Sequence, residues 1–134
     1  MEGMAGASFS EKEIWREVDG EWKLLFGGFD TAGVSVEWHD FLTPRLLEWG
    51  KSFHPDSLEI CVNFEGKGKF GKGRGVLSEA GPRSVSYYTQ GRMRSWRDVD
   101  ERHCFLTIEA SRVWLARAIG ESANQCPREV RAFL

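Results

Sequence analysis

The three histidines, His39, His54 and His103, are the side chains in this chain best suited to metal binding or acid–base chemistry. Zinc and iron sites usually place their ligands close together, with two histidines one or three residues apart. These histidines are far apart in sequence, and only Glu37 lies close to one of them, two residues before His39. The sequence therefore predicts no metal and no other cofactor, and the histidines are expected to be satisfied surface or pocket residues.

Nucleophilic catalysis requires a serine or cysteine that a neighbouring base activates. No serine lies in a G-x-S-x-G turn. Cys61 and Cys104 fall on predicted strands beside apolar residues, where burial raises the thiol pKa and makes the group inert. The chain contains no recognisable catalytic constellation, and we predict that it is not an enzyme.

A glycine-rich string at residues 66–73, GKGKFGKG, matches G-x-G-x-x-G and nearly matches a phosphate-binding loop. Both motifs need a helix to follow, because the helix N-terminus supplies the positive dipole for the phosphate. Gly73 stands where the magnesium-binding hydroxyl would be, and Arg74, Gly75 and Val76 make a poor helix start. The string is predicted to be a hairpin with a solvated basic tip.

Aromatic side chains are spread along separate predicted elements, which is typical of residues that contribute to a core. Five of the six tryptophans are Trp22, Trp38, Trp49, Trp96 and Trp114. A small barrel has little interior room, and aromatic residues with a few polar neighbours also bind sugars or planar ligands. Either a filled core or an internal pocket fits this pattern.

The bulk properties are those of one globular domain of 134 residues, with 41% hydrophobic residues and a formal charge of -2. A domain that neutralises phosphates usually carries a basic excess, so nucleic acid is not predicted as a direct partner. Three cysteines without C-x-x-C spacing suit a reduced setting. Because neither a signal peptide nor a membrane span is visible, we expect a cytoplasmic location.

Short apolar and polar alternations dominate the chain between residues 21 and 110. Residues 34–41 and 58–64 alternate with the two-residue period of a strand, whereas the segments 46–53, 76–77, 85–89, 92–97 and 103–109 are shorter strand candidates. Turn signals recur about every ten residues, which favours a sandwich or barrel over a parallel α/β sheet. An N-terminal arm (1–20), with a turn of helix predicted within 11–22, precedes this barrel.

The pattern changes to helical periodicity in the C-terminal segment, residues 111–134. Ser111 is placed to cap a helix that Gly120 ends, and Pro127 starts a second short helix. Val130, Phe133 and Leu134 form an apolar stripe, from which we expect the natural chain to continue.

The segment 54–68 (HPDSLEICVNFEGKG), Tyr87-Tyr88, Gly91-Arg92 and the segment 102–111 (RHCFLTIEAS) resemble the N-terminal domain of AraC-type transcription regulators. In that family a strand runs into a G-x-G turn, and a strand with an aromatic end and a glycine turn follows. A last strand then leads into a helix that begins near a tryptophan, here Trp114. The resemblance covers residues 33–120.

The resemblance implies a cupin-like (jelly-roll) barrel with C-terminal helices that binds an effector and forms a homodimer through those helices. In the arabinose-responsive member the last strand directs a His-x-aromatic pair into the pocket, and His103 and Phe105 match that pair. The pocket residues that we predict are Glu37, Arg94, Trp96, His103 and Phe105. Phenylalanine replaces that member's tryptophan, so both a sugar and an aromatic effector are considered.

The family's double helix-turn-helix domain has no counterpart in these residues, so we expect DNA contact only through a missing C-terminal domain. The predicted function is therefore effector sensing and dimerisation. The first alternative is a metal-dependent cupin oxygenase or isomerase, although such enzymes usually contain an H-x-H pair, which is absent here. The second is a dimerisation module whose barrel is filled.

Overall fold

The computed structural model describes residues 18–72, 75–89 and 94–134. The helices and strands of these residues follow one another in a strand-rich order that ends in helices. In chain order they are β1 (Asp19–Gly28), α1 (Phe29–Ala32), β2 (Val34–Leu42), a 3₁₀ helix (Trp49–Ser52), β3 (Ser57–Glu65), β4 (Gly68–Lys72), β5 (Gly75–Ala80), β6 (Ser84–Thr89), β7 (Arg94–Trp96), β8 (Arg102–Ser111), α2 (Arg112–Ile119), a second 3₁₀ helix (Gly120–Gln125) and α3 (Arg128–Phe133).

The strands form two antiparallel sheets. The larger sheet has the order β1-β2-β8-β3-β6 and the smaller one β5-β4-β7. Strand β8 lies at the centre of the larger sheet, paired with β2 on one side and β3 on the other. Strands β5 and β6 follow each other in sequence but belong to different sheets, so the chain crosses between the sheets there. This arrangement confirms the predicted all-β domain with C-terminal helices.

The polar faces of the alternating strands point into the barrel. On β2, Ser35, Glu37, His39 and Phe41 are buried, whereas Val36 and Trp38 on the opposite face are only half-buried. The register aligns inward residues across the strands, because partners in a ladder share a face. Two such rows, each read across β2, β8 and β3, are Glu37-Thr107-Cys61 and His39-Phe105-Asn63.

An apolar cluster lies beside these polar rows. Its buried members are Phe41, Leu47, Trp49, Phe53, Cys61 and Phe105. The ring of Tyr88 packs against this cluster, with its centroid 5.3 Å from that of Trp49 and 5.6 Å from that of Phe53. The segment between β2 and β3 therefore supplies much of the apolar core, while the central strands supply polar side chains.

The C-terminal helices begin and end at the predicted residues. The Ser111 hydroxyl accepts a hydrogen bond of 3.0 Å from the backbone N–H of Trp114, and Gly120 follows the last residue of α2. Pro127 precedes α3. None of the described helices is long and apolar enough to cross a membrane.

Two predictions about local structure need correction. The segment 46–53 is not a strand: Leu47 pairs with Arg97 in an isolated bridge, and the chain then coils into the 3₁₀ helix, which places Trp49 in the core. The helical turn predicted within 11–22 is also wrong where it can be compared, because β1 starts at Asp19 and pairs along β2. Residues 11–17 of that turn, 92–93 of the strand predicted at 92–97, and 73–74 of the glycine-rich string lie outside the described residues.

Candidate functional site

The inward polar side chains surround a cavity of about 20 Å³. Its lining residues come from β2, β3, β6, β8 and the segments that join the sheets. They are Glu37, His39, Trp49, Glu59, Cys61, Tyr88, Arg97, Phe105, Thr107 and Glu109. A volume of about 10–15 Å³ is enough for one water molecule, so the cavity in this conformation has room for about one.

Glu37 and His39 face the cavity from β2. The Trp22 indole N–H, on neighbouring β1, donates to Glu37 Oε1 at 2.9 Å. His39 Nε2 lies 3.5 Å from the same oxygen and 3.4 Å from Thr107 Oγ1. Burial lowers the pKa of His39 despite the opposing effect of Glu37, so its imidazole is neutral at pH 7.

Glu109, on β8, is bound by His54, just before β3, and by Ser57, the first residue of β3. His54 Nδ1 lies 2.9 Å from Glu109 Oε1, and the backbone N–H of His54 donates to Glu109 Oε2 at 2.9 Å. The hydroxyl of Ser57 lies 2.8 Å from Oε2, and the Phe29 ring stacks on His54 at 4.0 Å. Burial disfavours the imidazolium, but the hydrogen bond and charge of Glu109 outweigh that effect and raise the pKa of His54.

Two buried polar atoms beside Glu109 have no hydrogen-bond partner among the described residues: His54 Nε2 and Ser35 Oγ. Ser35 pairs with Glu109 in the β2–β8 ladder and is 2% exposed. A buried polar atom without a partner costs free energy, and a water or ligand is the usual way to satisfy it.

Arg97 is the guanidinium of the cavity. Its Nη2 donates to Asn63 Oδ1 at 2.8 Å, Nη1 lies 3.1 Å from His103 Nδ1, and Cζ lies 3.9 Å from the centre of the Phe105 ring. Burial lowers the pKa of His103, so the neutral imidazole accepts from Arg97 at Nδ1 and donates from Nε2 to the Asp98 carbonyl at 2.9 Å. Cys61 is inert here, since burial raises its thiol pKa to about 12.

Tyr88 closes the β6 side of the cavity. Its hydroxyl donates to Glu59 Oε2 on the paired strand β3. Burial and the neighbouring carboxylate hold the pKa of Tyr88 well above its ordinary value, so it remains a hydrogen-bond donor.

The five predicted pocket residues fall into three groups. Glu37 and Phe105 line the cavity. His103 is fully buried and contacts the lining residue Arg97. Arg94 and Trp96 are not brought to it: successive residues of a strand point to opposite faces, and Arg97 is the residue of this segment that faces the cavity. Arg94 instead binds Glu48 and lies 4.9 Å above the Trp96 ring.

The sequence reasoning missed several lining residues, above all Arg97, Glu59 and Tyr88. The sequence did contain a signal for His39 and Glu109, because residues two or four apart in a strand lie on the same face. His39 shares a face with the predicted pocket residue Glu37, and Glu109 shares one with Phe105. No such signal existed for Arg97, because a segment as short as β7 does not reveal which of its faces is inward.

A metal ion does not fit these residues. Metal-binding cupins usually combine two histidines one residue apart with a carboxylate and a third histidine. Among the described residues no three His, Cys, Asp or Glu side chains converge closely enough to hold an ion. Glu37 instead accepts a hydrogen bond from Trp22, and His39 forms one with Thr107.

Comparison with known proteins finds likeness in structure alone, and no family model and no curated protein matches the sequence. A cupin 2 conserved barrel domain protein from Salinispora arenicola matches with TM-score 0.50 and 15% identity, over 72% of this chain and 80% of that chain. A cupin-like protein from Thermotoga maritima gives TM-score 0.49 and 17% identity, over 70% and 69%. The Cupin_2 domain of an XRE family transcriptional regulator from Enterobacter cloacae gives 0.48 and 14%, over 68% and 94%.

The Salinispora protein identifies the class of fold. The two antiparallel sheets that enclose inward-facing side chains form the cupin barrel, also called the double-stranded β-helix. At 15% identity the likeness extends to the fold and not to an activity.

Proposed function

We propose that this chain is a non-enzymatic sensor domain that binds a small effector inside its barrel and serves a transcription regulator of the AraC type. The regulator class follows from the resemblance over residues 33–120. The observation that carries the sensing role is the lining of the cavity, where Glu37, Glu109 and Arg97 are buried at positions that a stable core would fill with apolar side chains. Half-buried Glu59 lines the same cavity.

The physical reason is the cost of those groups. Removing a charged group from water costs several kcal/mol, and replacing a buried ion pair by hydrophobic residues is often neutral or stabilising. Buried ionisable groups around a cavity are therefore typical of functional sites. Here the three glutamates belong to different strands and Arg97 follows β7, so a molecule that binds them together would contact several elements of the barrel.

Thermal unfolding of the purified protein with a panel of sugars, aromatic acids and amines tests this function. A ligand whose free concentration is one hundred times its Kd stabilises the folded state by about 2.7 kcal/mol, and this raises Tm by several degrees. The rise is expected to shrink in Glu37→Gln, which neutralises a lining carboxylate, and to persist in the control Glu121→Gln on an exposed 3₁₀ helix.

A second candidate is a dimerisation module with a filled barrel, and the small volume of the cavity favours it. The absence of a Tm rise with any compound, together with a concentration-dependent dimer, would support that candidate over sensing. Elemental analysis of the same sample addresses the enzyme alternative, since stoichiometric iron, manganese or nickel would favour it.

A further inference from the structure

The outer face of the larger sheet is apolar across its full width. Partners in a ladder share a face, so the registers of the five strands define rows of outward side chains. In the strand order β1-β2-β8-β3-β6, two neighbouring rows are Phe26-Val36-Ile108-Ile60-Tyr87 and Lys23-Trp38-Leu106-Val62-Val85. All of these residues except Lys23 are apolar or aromatic, and together they form the surface that we call the apolar outer face.

Much of the apolar outer face is open to solvent. Val85 is 68% exposed and Phe26 is 63% exposed, at opposite edges of the sheet, and Tyr87 is also exposed. The exposed ring of Phe64, on β3, lies 5.9 Å from that of Trp38 and extends the same face. Contiguous apolar patches on a monomer rarely exceed a few hundred Å² unless they are interaction sites.

The end of the sheet that adjoins α1 and α2 is covered, in contrast to the two rows. In the next row along the same face, Val34, Ala110 and Leu58 are each no more than 5% exposed. Helix α3 also reaches this end, where the Tyr87 hydroxyl donates to Glu129 at 3.5 Å. The helices therefore cover one row of outward side chains, and the rows beyond it need a different cover.

The open area is large enough for a protein partner. A sheet of five strands about 4.8 Å apart is roughly 24 Å wide, and each residue adds about 3.4 Å along a strand. The open part of β2 runs from Val36 to Phe41, so the face covers roughly 500 Å². Two such faces packed together would bury about 1,000 Å², the lower limit for a specific interface.

The charges of the face favour a second copy of this chain as that partner. Among the described residues of the two rows, Lys23 alone is charged, and its Nζ lies 3.2 Å from Glu21 Oε2 on the same strand. Such a surface meets its own copy without repulsion and offers no attraction to nucleic acid or to a strongly charged protein. Beyond the rows, Arg102 binds Asp40 at 2.7 Å and Glu65 at 3.1 Å, which is typical of a polar interface rim.

A second copy also has the right shape. Sheets bury apolar faces by packing on other sheets at a distance of about 10 Å, and a second copy supplies a sheet of the same width. We propose that this chain forms a two-fold dimer in which the apolar outer faces of two copies pack against each other. The dimer does not rest on the sensing role, because the two rows point away from the cavity.

The resemblance to AraC-type regulators leads instead to a dimer through the C-terminal helices, so lysine substitutions on the two surfaces separate the alternatives. Val85 lies on the apolar outer face, Leu77 on β5 of the smaller sheet and Val113 on α2. Their side chains are matched in exposure, at 68%, 64% and 59%. Each can therefore accept a lysine without loss of core packing.

Sedimentation velocity of the 134-residue chain over a series of concentrations provides the measurement. The wild type should show a concentration-dependent dimer. Val85→Lys should raise the dimer Kd at least about tenfold, because a two-fold interface receives each substitution twice. Phe26→Lys, at the other edge of the face, should act likewise and carries the test if circular dichroism shows that Val85→Lys does not fold. Leu77→Lys and Val113→Lys should leave the Kd unchanged.

Three results would overturn the proposal. The first is a wild type that is monomeric at every concentration. The second is a dimer that Val113→Lys dissociates while Val85→Lys and Phe26→Lys leave it intact, since the interface would then lie on the helices. The third is an equal effect of Leu77→Lys, which would reflect added charge alone. Effector binding, measured by thermal unfolding, is independent of all three.

Discussion

The three histidines illustrate how a few ångströms decide the chemistry of a side chain. Each is buried, which disfavours the imidazolium. His54 alone has a carboxylate oxygen at 2.9 Å from a ring nitrogen, and that partner reverses the effect of burial. His39 lies farther from its carboxylate, at 3.5 Å, and His103 faces a guanidinium instead. The pKa of one imidazole is therefore raised and those of the other two are lowered.

We predict that the three imidazoles titrate in a definite order in NMR spectra. His54 should titrate above pH 6.5, while His39 and His103 should titrate below it. Histidine ring resonances recorded as a function of pH provide the measurement, and substitution of each histidine by glutamine assigns the signals. A pKa of His54 below that of His39 would contradict the described geometry.

The same shift makes a prediction about stability. Because the pKa of His54 is higher in the folded than in the unfolded chain, its stabilising contribution is complete below pH 6.5 and is lost as pH rises through the folded value. The free energy of unfolding of wild type should therefore exceed that of His54→Gln by more at pH 5.5 than at pH 8.5. Urea denaturation at the two pH values measures the difference, and an equal or larger gap at pH 8.5 would refute the assignment.

At the scale of elements, turns hold the site together as much as strands do. Gly66 joins β3 to β4 with a φ of 80°, and a Cβ there would lie 2.2 Å from His103 Nδ1. That nitrogen accepts from Arg97, so the turn helps to position the imidazole that contacts this guanidinium of the cavity lining. The glycine is needed both for its positive φ and for the close approach.

Gly66→Ala should consequently be more damaging than a comparable change elsewhere. Gly120 provides the matched control, since its φ is 54° but no atom lies within 4 Å of the added Cβ. Both variants incur backbone strain of about 1–3 kcal/mol, and only Gly66→Ala must also displace His103. We expect Gly66→Ala to lower the free energy of unfolding by about 2 kcal/mol more than Gly120→Ala does. Equal losses in urea denaturation would show that the turn does not position His103.

The start of α2 permits a simpler prediction. Ser111→Ala removes the acceptor for the Trp114 N–H but keeps the backbone bond from Ser111 to Gly33, so it should cost about 1 kcal/mol. Ser122→Ala, at an exposed position within the second 3₁₀ helix, should cost much less. Thermal unfolding of the two variants distinguishes them, and similar Tm values would contradict the capping role.

Element types were largely predictable, because alternation along β2, β3 and β8 and the capping residues Ser111 and Gly120 are local signals. The inward direction of the polar faces was harder to predict: alternation defines two faces without saying which one a barrel encloses. The site suffered from the same ambiguity. Arg94 and Trp96 were expected in the pocket, yet their neighbour Arg97 occupies it, since one residue of offset moves a side chain to the other face.

For the whole molecule, the interior of the barrel combines an apolar cluster with buried polar side chains. The inner faces of its central strands contain ionisable groups, whereas apolar residues such as Val36 and Ile108 face outward and remain half-buried. Burial of charge does not maximise stability, so the inner lining calls for another explanation. Effector binding supplies one.

Chemical-shift mapping with a bound effector tests this account most directly. Backbone and indole N–H signals would be recorded while a compound that raises Tm is added. If the effector binds inside the barrel, the largest shifts fall on Trp49, Tyr88 and the inward residues of β3 and β8, with little change in α3. Saturable shifts confined to the C-terminal helices, with the barrel interior unaffected, would contradict it.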